Sequence, residues 1–360
     1  MKHNKYSDYK IVSFPEKIQS FKNKEITAPI YVRVKPTNRC NMDCWWCIYS
    51  DTNRKKGEGE HEHLHTPMHP DMEESDSIPR EKMLEALDDF SDMGVKAVTY
   101  SGGGEPLFYK HIVEVMQRTL DLGIDLSIIT NGELLFGKKA EILADAKWVR
   151  VSIDYTNEDE MIRFRRVGKG SYARVINNLS NFSEIKNSNC DLAVNYIVHR
   201  DNCDNLLSFA NDMKAYGVEN IRFSPMWTSD FYDYHNPIVD KVNKQLSKIS
   251  EIADNKFTVN STYMLGEHKD ARDYPRCFYT EIVPVVGADQ NIYTCHNKAY
   301  DSSGCIGSIQ NRSFKDVWMS SQGFFDKFDP RIRCSNHQCA NDSKNIILQE
   351  LVGASFDNFI

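Results

Sequence analysis

The feature that most constrains this chain is a rhythm between residues 28 and 225, in which short β-branched runs alternate with longer segments of helical period. Residues 28–35, 97–101, 125–130, 148–154, 192–199 and 220–225 read as strands. Between them Met83, Leu87, Phe90 and Met93, and then Ile112, Val115, Met116 and Leu120, recur on one face of a helix. Strand and helix units in series fold as a parallel sheet covered by helices. The expectation is an α/β chain, a partial (β/α)6 barrel with a smaller C-terminal domain.

Two stretches break the rhythm. Residues 51–77 are polar, charged and rich in Gly, Pro and His. Such a stretch has little apolar surface to bury, so it reads as a mobile flap. After Pro225 come an aromatic stretch, a helical segment over 238–254, and cysteines between 277 and 339. The expected division is an N-terminal extension 1–27, a core 28–260 and a C-terminal domain 261–360.

A net charge of -7 argues against a broad nucleic-acid footprint. No stretch reads as a secretion signal or a bilayer span, so the expectation is a cytoplasmic protein without a membrane partner. Ten cysteines in such a chain point to metal ligation rather than to a disulfide framework.

Cys40, Cys44 and Cys47 fall in one loop after the first expected strand, at the edge where barrels build their sites. Thiolates select soft metals and iron-sulfur clusters, and three of them on a cubane leave one iron open. A zinc site of three cysteines and one histidine is the alternative, with His61, His63, His65 and His69 as candidate fourth ligands. Further along, Gly102, Gly103 and Gly104 end the second strand, either as a tight turn or to bring backbone carbonyls close to a ligand ammonium. Glu105 before Pro106 is a ligand-side acceptor or a helix cap. Asn131 ends the third strand, Ser152 and Asp154 the fourth, and Asn195 lies near the end of the fifth. Trp46 is either a stacking plane for a base or a lid over a cluster.

The run CNMDCWWC, with the SGGGEP, TNG and VSID segments behind it in βα order, resembles the radical S-adenosylmethionine (radical SAM) superfamily over roughly residues 28–225. The resemblance implies a four-iron, four-sulfur cluster on Cys40, Cys44 and Cys47. It also implies S-adenosylmethionine bound by Trp46, Gly102, Gly103, Gly104, Glu105, Asn131, Ser152, Asp154 and Asn195. One electron from the reduced cluster cleaves that co-substrate to methionine and a deoxyadenosyl radical, which takes a hydrogen atom from substrate. A low-potential donor, flavodoxin or ferredoxin, is implied.

Cys277, Cys295, Cys334 and Cys339 suit one closed metal site, an iron-sulfur cluster or zinc. The surrounding segment resembles the C-terminal SPASM or twitch extension of the same superfamily, which implies a second, auxiliary four-iron cluster. Cys305 is left outside this set, although it stands where it could replace a member. Cys190 and Cys203 read as buried small hydrophobes. Cys203 and Cys305 are also the candidate catalytic hydrogen donors if the reaction is an epimerisation. Arg163, Arg165 and Arg166, Asn195, His199 and Arg200, and Tyr234 and His235 are candidate substrate groups at the barrel mouth, with one functional member expected among the three clustered arginines.

The first expected function is oxidation or epimerisation of a small polar substrate, such as a carbohydrate, cyclitol or nucleotide sugar, by a radical SAM oxidoreductase or epimerase. The second is modification of a ribosomally made peptide. Peptide enzymes often carry an N-terminal leader-binding domain, and about two dozen residues precede the first strand here, which favours the small molecule. A non-catalytic iron-sulfur, zinc or electron-transfer protein is the third. It would explain the cysteines but not the glycine and serine strand ends.

Overall fold

The computed structural model describes residues 7–49, 69, 71–228, 230–263, 272–334 and 339–353. The strands are β1 (Tyr31–Val34), β2 (Ala97–Tyr100), β3 (Asp125–Thr130), β4 (Trp148–Ser152), β5 (Asp191–Val198), β6 (Asn220–Pro225), β7 (Thr258–Ser261), β8 (Val285–Val286), β9 (Asn291–Tyr293) and β10 (Cys305–Ser308). They form one sheet in the order β10-β9-β8-β1-β2-β3-β4-β5-β6-β7. Strands β1 to β7 run parallel in sequence order, the β/α array expected from the alternation.

The alternation along each strand explains the layers. Val32, Val34, Val98, Leu126, Ile128, Val149, Val151, Leu192, Val194, Ile221 and Phe223 are buried in one apolar core with Leu87, Phe90, Val115 and Met116 of the covering helices. Each such side chain contributes about 1.5–3 kcal/mol relative to exposure. The positions between them, among them Arg33, Thr99, Ser127, Arg150, Asn195 and Arg222, take the opposite, interior face.

Two differences from the expectation have clear causes. Residues 258–261 add a seventh parallel strand whose short, polar sequence TVNS gives no apolar signal. The C-terminal hairpin also joins the barrel's own sheet, because β8 pairs in parallel with β1, Arg33 opposite Val285 and Val34 opposite Val286. Trp318 adds to the attachment by donating Nε1–H to the Thr27 carbonyl at 2.9 Å, while Phe314 meets Phe90 edge to face.

The N-terminal helix Pro15–Asn23 and the C-terminal helix Asp342–Gly353 form a second apolar cluster through Phe21, Phe278, Ile282 and Leu348. Of the expected flap, residues 50–68 and 70 lie outside the described residues, and with them His61, His63 and His65. Residues 71–77 are anchored, not free: Glu73 O accepts from Asn38 Nδ2 at 2.8 Å and Asp76 O from Asn38 N at 3.0 Å. No helix of the described residues is long and apolar enough to cross a membrane.

Candidate active site

The site begins where β1 delivers the cysteine loop beside the glycine segment after β2. Gly104 N–H donates to Thr37 O and Glu105 N–H to Arg39 O, both at 3.0 Å. A Cβ on Gly104 would stand 2.1 Å from the Arg39 carbonyl oxygen, and one on Gly103 2.1 Å from Asn38 Oδ1. The close approach that demands glycine is therefore, at these two positions, an approach to the cysteine loop. The sequence reading missed Lys35. Its ammonium is fully buried and donates to the Gly102 carbonyl and to Tyr49 Oη, the latter at 2.7 Å. Burial, with Arg33 close by, pushes its pKa well down, while Cys47 acts the other way.

Glu105 resolves as the cap. Its Oε1 accepts from Leu107 N–H at 2.9 Å and from Thr130 Oγ1–H at 2.6 Å, and Oε2 accepts from Asn131 N–H at 2.7 Å. The carboxyl thus ties the end of β2 to the end of β3, and burial raises its pKa despite these donors. Asn131 passes the connection on, donating Nδ2–H to Asn41 Oδ1 at 2.8 Å within the cysteine loop.

From the other side comes the helix Glu158–Arg165. Asn157 caps it by accepting from Glu160 N–H at 2.9 Å, and its acidic first turn and basic last turn both complement the helix dipole. Its last carbonyls receive the cysteine loop: Asp43 N–H donates to Arg165 O at 3.0 Å and Trp45 N–H to Phe164 O at 3.3 Å. Arg165 is the buried member of the arginine trio. It donates to Cys44 Sγ at 3.1 Å, to Ser152 O at 3.1 Å and to Asp154 Oδ1 at 2.8 Å. Burial pushes the Asp154 carboxyl up to about 6, with Arg165 pulling against it. Arg163 instead pairs with Asp201 and Arg166 with Asp43.

Trp46 is buried against Trp45, Phe164 and His199, with the Arg165 guanidinium 5.0 Å from its ring centroid. Ser152 sits opposite Asn195 in the β4–β5 register, and Asn195 Oδ1 accepts from Ser224 Oγ–H at 3.1 Å. Arg200 is held by Tyr234 and Asp233, donating to their carbonyls at 2.8 and 2.9 Å. His235 lies buried between Tyr263 and Met226.

Cys40, Cys44 and Cys47 share one electrostatic environment. Burial raises the Cys40 thiol, and Cys44 and Cys47 raise it further. Likewise burial raises Cys277, and Cys339, Cys295 and Cys334 add to it, while Cys295 is pushed up to about 12. Among the described residues no three His, Cys, Asp or Glu side chains converge on the position of a single ion. A cubane is wider than an ion and takes thiolates at its corners, and apposed thiols that burial keeps protonated suit a ligand that draws off their protons.

Cys305 is influenced by Asp289 and not by the four, on the far side of the hairpin from β8. Cys203 is buried with its thiol donating to Arg200 O at 3.2 Å, and Cys190 precedes β5 at the opposite end of the barrel. His69, raised above as a metal ligand, is buried and stacked on Tyr49 with centroids 4.2 Å apart.

Residues 34–212 match the family model of the radical SAM superfamily. The chain belongs to that superfamily. S-adenosylmethionine and a four-iron, four-sulfur cluster are the cofactors of this radical SAM enzyme. It is 29% identical over 196 residues to GTP 3',8-cyclase of Limosilactobacillus fermentum, covering 54% of this chain and 53% of that protein, about half its length. It is 22% identical over 324 residues to mycofactocin maturase MftC of Mycolicibacterium smegmatis, covering 88% and 76%. In three dimensions it superposes on Streptococcus suis SuiB bound to S-adenosylmethionine with a TM-score of 0.62 and 16% identity, over 94% of this chain and 80% of SuiB.

Proposed function

We propose that this radical SAM enzyme modifies a ribosomally made peptide, in place of the small polar substrate that the sequence reading put first. The carrying observation is the extent of likeness: the match to the maturase MftC runs over 88% of the chain and that to the PqqA peptide cyclase over 82%, whereas matches to GTP 3',8-cyclases run over 39% to 66%. A match of that length must take in much of the chain beyond the radical SAM domain. The SuiB architecture is also known with the precursor peptide SuiA bound.

On this reading Cys40, Cys44 and Cys47 hold the cluster that supplies one electron to S-adenosylmethionine, and Cys277, Cys295, Cys334 and Cys339 hold an auxiliary cluster. The chain's own residues do the positioning. Glu105 and Asn131 brace the cysteine and glycine loops, Arg165 steadies Cys44, and Trp46 excludes water from the cysteines. Ser152 and Asn195, opposite each other in the β4–β5 register, line the edge on which the co-substrate would rest, and Asp154, expected beside them, is instead buried against Arg165. Electrons come from flavodoxin or ferredoxin.

The test is incubation of the reconstituted enzyme under reducing, anaerobic conditions with short peptides encoded beside its gene, followed by mass spectrometry. A peptide whose mass changes together with release of deoxyadenosine supports the reading. Turnover of a sugar or nucleotide, with every such peptide untouched, overturns it.

A further inference from the structure

Three loops meet at the rim that carries Cys40: residues 37–41 after β1, 101–111 after β2 and 131–139 after β3. They are laced together, since Glu105 N–H donates to Arg39 O at 3.0 Å and the Lys139 ammonium donates to Leu107 O at 2.7 Å. These loops also carry Phe108, at the end of the turn Pro106–Phe108, and Phe136, which precedes the helix Gly137–Leu143. At 48% and 56% exposure they are the two exposed phenylalanines among the described residues. Beside them in the same loops stand Arg39, Lys110 and Lys138, all exposed, and the half-buried Lys139. Of the two carboxylates in these segments, Glu105 is buried and Glu133 holds Arg174 at 2.6 Å. From the adjoining helices Glu141 reaches Lys138 at 3.4 Å, and Glu114 pairs with Arg80. A positive, aromatic rim therefore stands on a chain whose net charge is -7.

Leaving a phenylalanine in water forgoes roughly 1.5–3 kcal/mol of burial, and exposed aromatic side chains with arginine beside them are the composition of a protein interface. The cations select an acidic partner, whose encounter their field would steer. Position selects what that partner does: Arg39 adjoins Cys40, so a protein seated here approaches the first cluster, and electron transfer weakens steeply with distance. We propose that this rim is the docking surface for an acidic, low-potential electron-carrier protein. Contacts of such carriers are small, so two aromatic side chains among a few charges suffice. With a flavodoxin, the flavin hydroquinone gives one electron to the oxidised cluster and becomes the semiquinone, and no bond is made or broken. The proposal rests on the assignment of the first cluster to Cys40, Cys44 and Cys47, and it holds whichever substrate the enzyme modifies.

The test pairs binding with reduction. Flavodoxin and an acidic ferredoxin are titrated calorimetrically against the reconstituted enzyme. Stopped-flow absorbance then follows cluster reduction by each carrier and by photoreduced deazaflavin, a small reductant with no protein surface to match. At least one carrier should bind, more weakly as salt is raised. Lys110→Glu and Phe136→Ser should each weaken that binding and slow carrier-driven reduction about tenfold, while reduction by deazaflavin keeps the wild-type rate. Ile185→Ser and Lys248→Glu, exposed on helices that lead into the opposite ends of β5 and β7, should change neither.

Failure of both carriers to bind, or wild-type affinity and rate in both rim variants, overturns the proposal, as does an equal loss in the two control variants. Slowing with deazaflavin as well would make Lys110 and Phe136 supports of the cluster and overturn their docking role. Wild-type enzyme that holds no iron, or that deazaflavin cannot reduce, overturns the cluster assignment itself and the proposal with it.

Discussion

The Arg165 guanidinium joins Cys44 to Asp154, reaching the sulfur at 3.1 Å and carboxylate Oδ1 at 2.8 Å. Arg165 and Asp154 are buried and Cys44 is half-buried, so the arginine pairs with a buried acid while touching a proposed cluster ligand. Replacing it should therefore cost stability and alter the metal site together. Arg165→Gln should lose roughly 3–5 kcal/mol in anaerobic urea unfolding, and adding Asp154→Asn should recover much of that loss. A donor to a thiolate also favours the reduced cluster, so the reduction potential of the variant should move negative. An unchanged midpoint and potential would show that the contact is idle.

Gly104 tests the join between the two loops. In Gly104→Ala the new methyl meets the Arg39 backbone, which cannot swing aside as a side chain tip would. The cysteine loop should be displaced and the first cluster lost, with the auxiliary site intact. Chemical analysis after reconstitution should then find about four irons per chain in place of about eight. Wild-type iron in the variant would refute this account of the glycine.

The C-terminal cysteines separate by environment. Cys277→Ala should remove about four irons, because Cys277 sits amid the other three thiols. Cys305→Ala should remove none, since Cys305 answers to Asp289 instead. A loss of iron in Cys305→Ala would exchange their roles.

His235 gives a pH signature of its own. Burial holds its imidazole down at about 4, against 6.5 for an ordinary histidine. Between these values the unfolded chain binds a proton that the folded chain refuses, so stability is full above pH 6.5 and falls as pH drops towards 4. The loss is of the order of 3 kcal/mol. In His235→Phe that part of the slope should vanish from denaturation midpoints measured across the window, alongside a constant penalty for the lost bonds to Tyr263 and Met226. A slope as steep as wild type would assign the titration elsewhere.

Much of this was legible beforehand. Strands β3 and β6 begin and end where the β-branched runs do, and the four ordered motifs fall at strand ends around one mouth. Other features were hidden for specific reasons. Strand β7 is polar and short. Lys35 looked like an ordinary charge at the end of a strand, and only the 67 residues separating it from Gly102 in sequence, closed by β1–β2 pairing, make it a buried donor. The trio Arg163, Arg165 and Arg166 resolves into one buried and two ion-paired surface residues through helix geometry about the Arg165 position.

The first cysteine loop, the βα order and the radical SAM cofactors followed from the sequence by itself, because they depend on residue type, spacing and local period. The tertiary structure decided which loops touch, that Glu105 is a brace, and that the C-terminal hairpin continues the sheet beside β1. Those relationships join residues far apart in the chain. Strand register and the closing of the barrel bring them together, and no local pattern records either.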